Sequence, residues 1–84
     1  MEQFETGMMA RSKSGHDAGK VYVITKVEEA YVYLVDGKVR TLDKPKKKKK
    51  KHDQLIKESY DIQGATDVDI KRWIKIWNKE DNQN

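Results

Sequence analysis

Cysteine is absent from the 84 residues, which excludes thiol catalysis and a disulfide framework and fits a reducing compartment. Histidine occurs only as His16 and His52, far apart and without ligand spacing, so a structural metal is not expected. No apolar run approaches the roughly 20 residues of a membrane span. The acidic start, with Glu2 and Glu5, does not read as a signal peptide. A cytoplasmic protein without membrane attachment is the expectation. Catalytic groupings are missing as well: no Gly-rich loop opens a helix, no Ser/His/Asp arrangement occurs, and the carboxylates are scattered over turns. The chain is therefore not read as an enzyme, and no cofactor, metal or small-molecule substrate is expected.

The length allows a single domain, residues 1–84, since a typical domain takes about 100 to 150 residues. A chain this short buries only about 60% of its unfolded surface, so stability should rest on a few kcal/mol of hydrophobic burial. The net charge of +4 conceals an asymmetry. Residues 36–52 carry nine Lys/Arg against Asp36 and Asp43, a net +7, which leaves −3 for the rest of the chain. One concentrated positive stripe on a mildly acidic body suggests a site for a polyanion, above all nucleic acid.

Along the chain, GMMARSK (7–13) reads as a first strand that runs into the turn formers SGHDAG. KVYVITKV (20–27) is a clear strand, with Val21, Val23 and Thr25 on one face and Tyr22 and Ile24 on the other. In AYVYLV (30–35), Tyr31, Tyr33 and Val35 alternate with Val32 and Leu34, both sets apolar, which predicts a strand covered on both faces at the sheet centre. Asp36-Gly37 suits a type I′ hairpin leading into a strand KVRTL, with Val39 and Thr41 or Leu42 facing the core. Pro45 then interrupts the ladder, and the lysines after it, unable to pack in a core, are expected to form a solvated loop over 44–52.

Leu55 and Ile56 offer a short closing strand, and Gly64 follows Ile62 in a loop. One helix is predicted over 67–79. Thr66 is its N-cap, Asp69 stands at the capping-box position, and Ile70, Trp73, Ile74 and Trp77 make one apolar stripe. The final EDNQN is expected to fray. Four or five short strands without an intervening helix must curl to bury a common face, which predicts a mainly β fold: a small SH3-like barrel, core 6–62, with one C-terminal α-helix covering an open end or edge.

With the strands placed, GMMARSKSGHDAGKVYVITKV (7–27) resembles a KOW motif. A glycine opens the first strand, the loop carries Gly-x-Asp-x-Gly-Lys, and an alternating apolar strand follows. The remainder, YVYLVDGKVRTLDKPKKKKKKH and IQGATDVDIKRWI, resembles the short bacterial KOW-domain RNA-binding proteins and is similar to a large-subunit ribosomal protein family of archaea and eukaryotes. Tyr22 stands where many KOW sequences have glycine. The resemblance implies a domain that binds structured RNA, plausibly ribosomal RNA, with ribosomal subunit proteins as further partners.

Two segments are candidate binding elements. In the loop Lys13–Lys20, Gly15 and Gly19 permit positive φ, so backbone N–H groups could face a phosphate while Lys13, Ser14, His16 and Lys20 add donors. Asp17 repels phosphate and is assigned to bonding the loop's own backbone. The plain alternative is an ordinary hairpin turn. The second element comprises Arg40, Lys44, Lys46, Lys47, Lys48, Lys49, Lys50, Lys51 and His52. Lysine offers point charges without arginine's planar fork, so this tract would hold RNA without reading its sequence. Its alternatives are a disordered solubilising loop or a nuclear-localisation run.

Tyr22, Tyr31 and Tyr33 could stack on bases, but a barrel this small needs large side chains inside, and they are assigned to the core with Trp73 and Trp77. The leading expectation is a monomeric, ribosome- or rRNA-associated RNA-binding protein. The alternative from another class is an SH3-like module whose lysine tract meets an acidic protein, such as a transcription or translation factor.

Overall fold

The structure, a computed structural model, describes residues 3–81. In chain order it contains β1 (Met8–Ser12), β2 (Val21–Val27), β3 (Tyr31–Val35), β4 (Lys46–Lys49), a 3₁₀ turn (Lys50–His52), β5 (Asp53–Ser59) and α1 (Asp67–Asp81). The strands form one antiparallel sheet in the order β4-β3-β2-β1-β5. A mainly β fold, a small barrel-like sheet with one C-terminal helix, is thus borne out.

The sheet is curled. β4 lies three strands from β1, which in a flat sheet would be roughly 14 Å at about 4.8 Å per strand. Yet the Lys48 ammonium of β4 bonds the Ser12 hydroxyl of β1, beyond a lysine's reach across a flat surface. Register shifts between Met8 and Met9 and between Ile24 and Lys26 mark where the strands bend.

Curling separates two apolar layers. The concave face buries Ala10, Tyr22, Ile24, Val32, Leu34 and Leu55, and the convex face buries Met9, Val21, Val23 and Val35 under Ile70 of α1. The alternation expected in β2 is what divides its residues between the layers. Val21, Tyr22, Val23 and Ile24 are all buried, so the central strand is β2 and not β3 as expected. The outward residues of β3, Tyr31 and Tyr33, are half-buried, because α1 reaches Val35 and does not extend over them.

The helix begins as its cap dictates. The Thr66 N–H donates to Asp69 Oδ2 at 3.0 Å and the Asp69 N–H donates to Thr66 Oγ1 at 3.2 Å, a reciprocal capping box. Trp73, Ile74 and Trp77 continue the stripe from Ile70, and Trp73 stacks on Tyr60 with ring centroids 4.7 Å apart. The helix covers the convex face of the sheet, neither an open end nor an edge. It runs to Asp81, two residues beyond the predicted end, and the fraying expected at residues 82–84 lies outside the described residues.

Two local expectations fail. KVRTL is not a strand: Val39 is 75% exposed, and only Leu42 of this segment packs against the helix layer. The turn before it is not type I′, since Gly37 takes φ +77° but Asp36 does not take positive φ. Asp36 acts through its side chain, with Oδ1 accepting the Lys38 and Arg40 N–H groups at 2.8 Å each, which folds the segment into a compact loop. That loop docks on α1, where Asp67 Oδ1 accepts the Leu42 N–H at 2.8 Å.

The second failure concerns residues 44–52, expected as a solvated loop. Lys46–Lys49 form β4, paired antiparallel with β3 in the register Leu34↔Lys46 to Tyr31↔Lys49. A lysine backbone makes ladder bonds as well as any other. Repulsion between neighbouring ammonium groups falls because successive side chains point to opposite faces. On each face a carboxylate is present to receive them.

Candidate nucleic-acid interface

The period of two in β4 divides the lysine tract. Cross-strand partners share a face, so Lys46 and Lys48 stand beside Leu34 and Val32 on the concave side, and Lys47 and Lys49 stand beside Tyr33 and Tyr31 on the convex side. The concave pair is turned toward the β1–β2 loop. Asp17 Oδ2 receives the Lys46 ammonium, and Asp17 Oδ1 lies 3.2 Å from Lys48 Nζ. Lys48 also donates to the Ser14 carbonyl at 3.0 Å.

Asp17 therefore does not bond the loop's backbone through its carboxylate, as expected from its place in a turn. The side chain accepts from Ser12 Oγ at 2.9 Å and Tyr22 Oη at 3.0 Å in addition to the two lysines. Burial alone would raise its pKa. The bonds from Lys46, Ser12, Lys48 and Tyr22 outweigh that and hold the carboxyl well below the usual carboxylate range. Burial and the adjacent Asp17 charge push the Tyr22 phenol up to about 12. Tyr22 is thus a core residue whose hydroxyl bonds the loop's carboxylate.

Asp53, opposite Ser12 in the β1–β5 pairing, lies beside the same cluster and behaves oppositely. It is 3% exposed, and neither carboxylate oxygen has a hydrogen-bond partner among the described residues. Burial raises its pKa to about 6, against the opposing pull of Lys48.

The loop holds the shape its glycines permit: Gly15 and Gly19 take φ +87° and +90°. Internal bonds use the N–H groups of Lys13 (to the His52 carbonyl), Ala18, Gly19 and Lys20. None of the described backbone bonds uses the N–H groups at the tip, Ser14 to Asp17. The side chains of Lys13, Ser14, His16 and Lys20 are exposed around it.

On the convex side, Lys47 Nζ sits 4.5 Å from the Tyr31 ring centroid and 3.8 Å from Glu28 Oε1, and Lys26 Nζ lies over Tyr33. Tyr31 and Tyr33 are therefore surface residues beneath lysines, and only Tyr22 occupies the core as expected. Lys49, Lys51, His52, Arg40 and Lys44 are exposed, and Lys50 lies half-buried over Phe4.

The structure thus brings the glycine loop and the lysine tract together and joins them through Asp17 and Ser14, while two of the tract's six ammonium groups are paired inside. Sequence reasoning missed the parts of Asp17, Tyr22 and Asp53. The available signal was the single acid inside an otherwise basic loop, facing a tract with a surplus of cations. No family model matches the chain, and no curated protein matches it significantly.

Proposed function

We propose that this chain is a KOW-type RNA-binding protein, associated with the ribosome or its RNA, which contacts phosphates through the Lys13–Lys20 loop and the outward part of the lysine tract. The observation that supports this reading is the junction at Asp17: the two basic segments share one anchor, so a phosphate chain could touch both without either having to reorganise. Lys13, Lys20, Arg40, Lys44, Lys49 and Lys51 supply exposed charge, and the loop tip supplies backbone N–H groups. Each phosphate contacted releases counterions, so affinity should fall steeply as salt rises. With lysine as the main donor, the protein would hold RNA by shape and charge and leave its bases unread.

The test is binding of the full chain to a fluorescein-labelled RNA hairpin across a salt series, alongside sedimentation of ribosomal subunits with and without nuclease. Salt-sensitive binding and nuclease-sensitive co-sedimentation are expected. Indifference to RNA at low ionic strength, or nuclease-insensitive recovery with a protein, would replace this reading with the acidic-protein one.

A further inference from the structure

An open groove of about 770 Å³ runs between α1 and the two loops that precede β2 and follow β3. Lys20 and Lys38 edge it from the loops and Lys71 and Lys75 from the helix, while Val21, Tyr22 and Ile74 contribute apolar surface. Among the described residues, no carboxylate lies within 4.0 Å of any of these four ammonium groups. Lys26, Lys46, Lys47 and Lys48, by contrast, are all paired. Among the described residues Asp36 is the single acid lining the groove, and its Oδ1 is already bonded to two loop N–H groups. The uncompensated positive charge of the fold is therefore concentrated here more than along the inner side of β4.

The backbone that carries Lys38, Lys71 and Lys75 is fixed. Lys71 and Lys75 are about one helical turn apart on one face of α1, about 6 Å along the axis. Lys38 follows Gly37, whose Cα is so close to the helix that an added Cβ would overlap the Asp67 carbonyl and stand 3.0 Å from the Lys71 nitrogen. A second, smaller depression continues the first, sharing Lys20, Tyr22 and Asp36 and extending to His16, Arg40 and the paired Asp17 and Lys46.

We propose that this groove binds the sugar–phosphate backbone of RNA, with Lys71, Lys75, Lys38 and Lys20 meeting successive phosphates before the chain passes to the loop tip and Arg40. The inference rests on the RNA-binding reading and adds the helix face to it. Charge complementarity and the continuity of the two depressions carry it. Sugars would lie over the apolar floor while phosphates meet ammonium groups at the rim.

The experiment compares wild type, Lys71→Gln/Lys75→Gln, Lys71→Arg/Lys75→Arg and, as a control outside both depressions, Lys57→Gln, each checked for native circular dichroism. The probe is the labelled RNA hairpin, titrated at several salt concentrations. The glutamine pair is expected to bind at least about fivefold more weakly, with a log–log salt slope shallower by about 1 for each phosphate no longer neutralised. The arginine pair and Lys57→Gln should match wild type. If wild type binds and the glutamine pair binds equally with the same slope, the groove is not on the RNA path and the loop-and-tract reading survives. If wild type ignores the hairpin but binds poly-glutamate, and the glutamine pair loses that binding, the occupant is an acidic polypeptide and both readings fall.

Discussion

Lys48 and Asp17, 31 residues apart in the chain, form an ion pair at 3.2 Å with side chains only 10% and 9% exposed. With Lys46 on the other carboxylate oxygen, this pair joins the edge strand β4 to the β1–β2 loop across the concave face of the sheet.

Removing the shared anion should therefore cost more than removing an ordinary surface charge. Asp17→Asn leaves two largely enclosed ammonium groups without a counter-ion, and a loss of about 3 kcal/mol is expected in urea unfolding. The native carboxyl has a depressed pKa, so its contribution is present above the unfolded value of about 3.9 and is lost as pH falls below it. Wild type should weaken below about pH 4 and the variant should show little of that weakening. Equal unfolding midpoints at neutral pH would show that the anchor contributes nothing.

Asp53 carries the opposite sign. Its pKa of about 6 in the folded state lies above the unfolded value, so its protonated form favours the fold and stability falls as pH rises from about 4 to 6. Asp53→Asn keeps the size and removes the buried, unpartnered charge. At pH 7 it should be more stable than wild type by about 1 to 3 kcal/mol, with no decline over that window, as followed by thermal unfolding at a series of pH values.

The two faces of β4 should separate stability from binding. Lys46→Gln/Lys48→Gln removes the cationic partners of Asp17 and should lower the melting temperature by several degrees. Lys47→Gln/Lys49→Gln should change it little, because exposed pairs such as Lys47–Glu28 contribute at most about 1 kcal/mol, while weakening RNA binding. Deleting all six lysines would remove β4 along with the charge. The face-selective pairs are the informative variants.

Gly37 supports the groove indirectly. Gly37→Ala combines a positive φ with overlap against the Asp67 carbonyl, so the 36–42 loop must lift from the first turn of α1. A destabilisation of more than about 1 kcal/mol is expected, with a change in the fluorescence of Trp73 and Trp77 that reports the helix loosening. Unchanged fluorescence and stability would show that the loop is not seated as described.

What the sequence determined is local. The alternation from Val21 to Ile24, the stripe from Ile70 to Trp77 and the Thr66–Asp69 box each encode their element within a few residues and are found as read, whereas the register shift after Ile24 breaks the alternation that would have put Thr25 with Val21 and Val23. The glycine loop's positive φ angles belong to the same class. Tertiary structure decided whatever depended on a distant partner. Lysine residues disfavour a strand by themselves, and β4 forms because β3 offers a ladder edge while Asp17 and Glu28 receive ammonium groups on its two faces. Asp17 reads locally as a turn residue, and only the curl of the sheet brings Lys46 and Lys48 within its reach. The groove likewise unites Lys20, Lys38, Lys71 and Lys75 from three segments that no periodicity connects. Short-range patterns fix which backbone shape each segment takes, but the electrostatic partners of a charge are set by how those shapes close on one another in space.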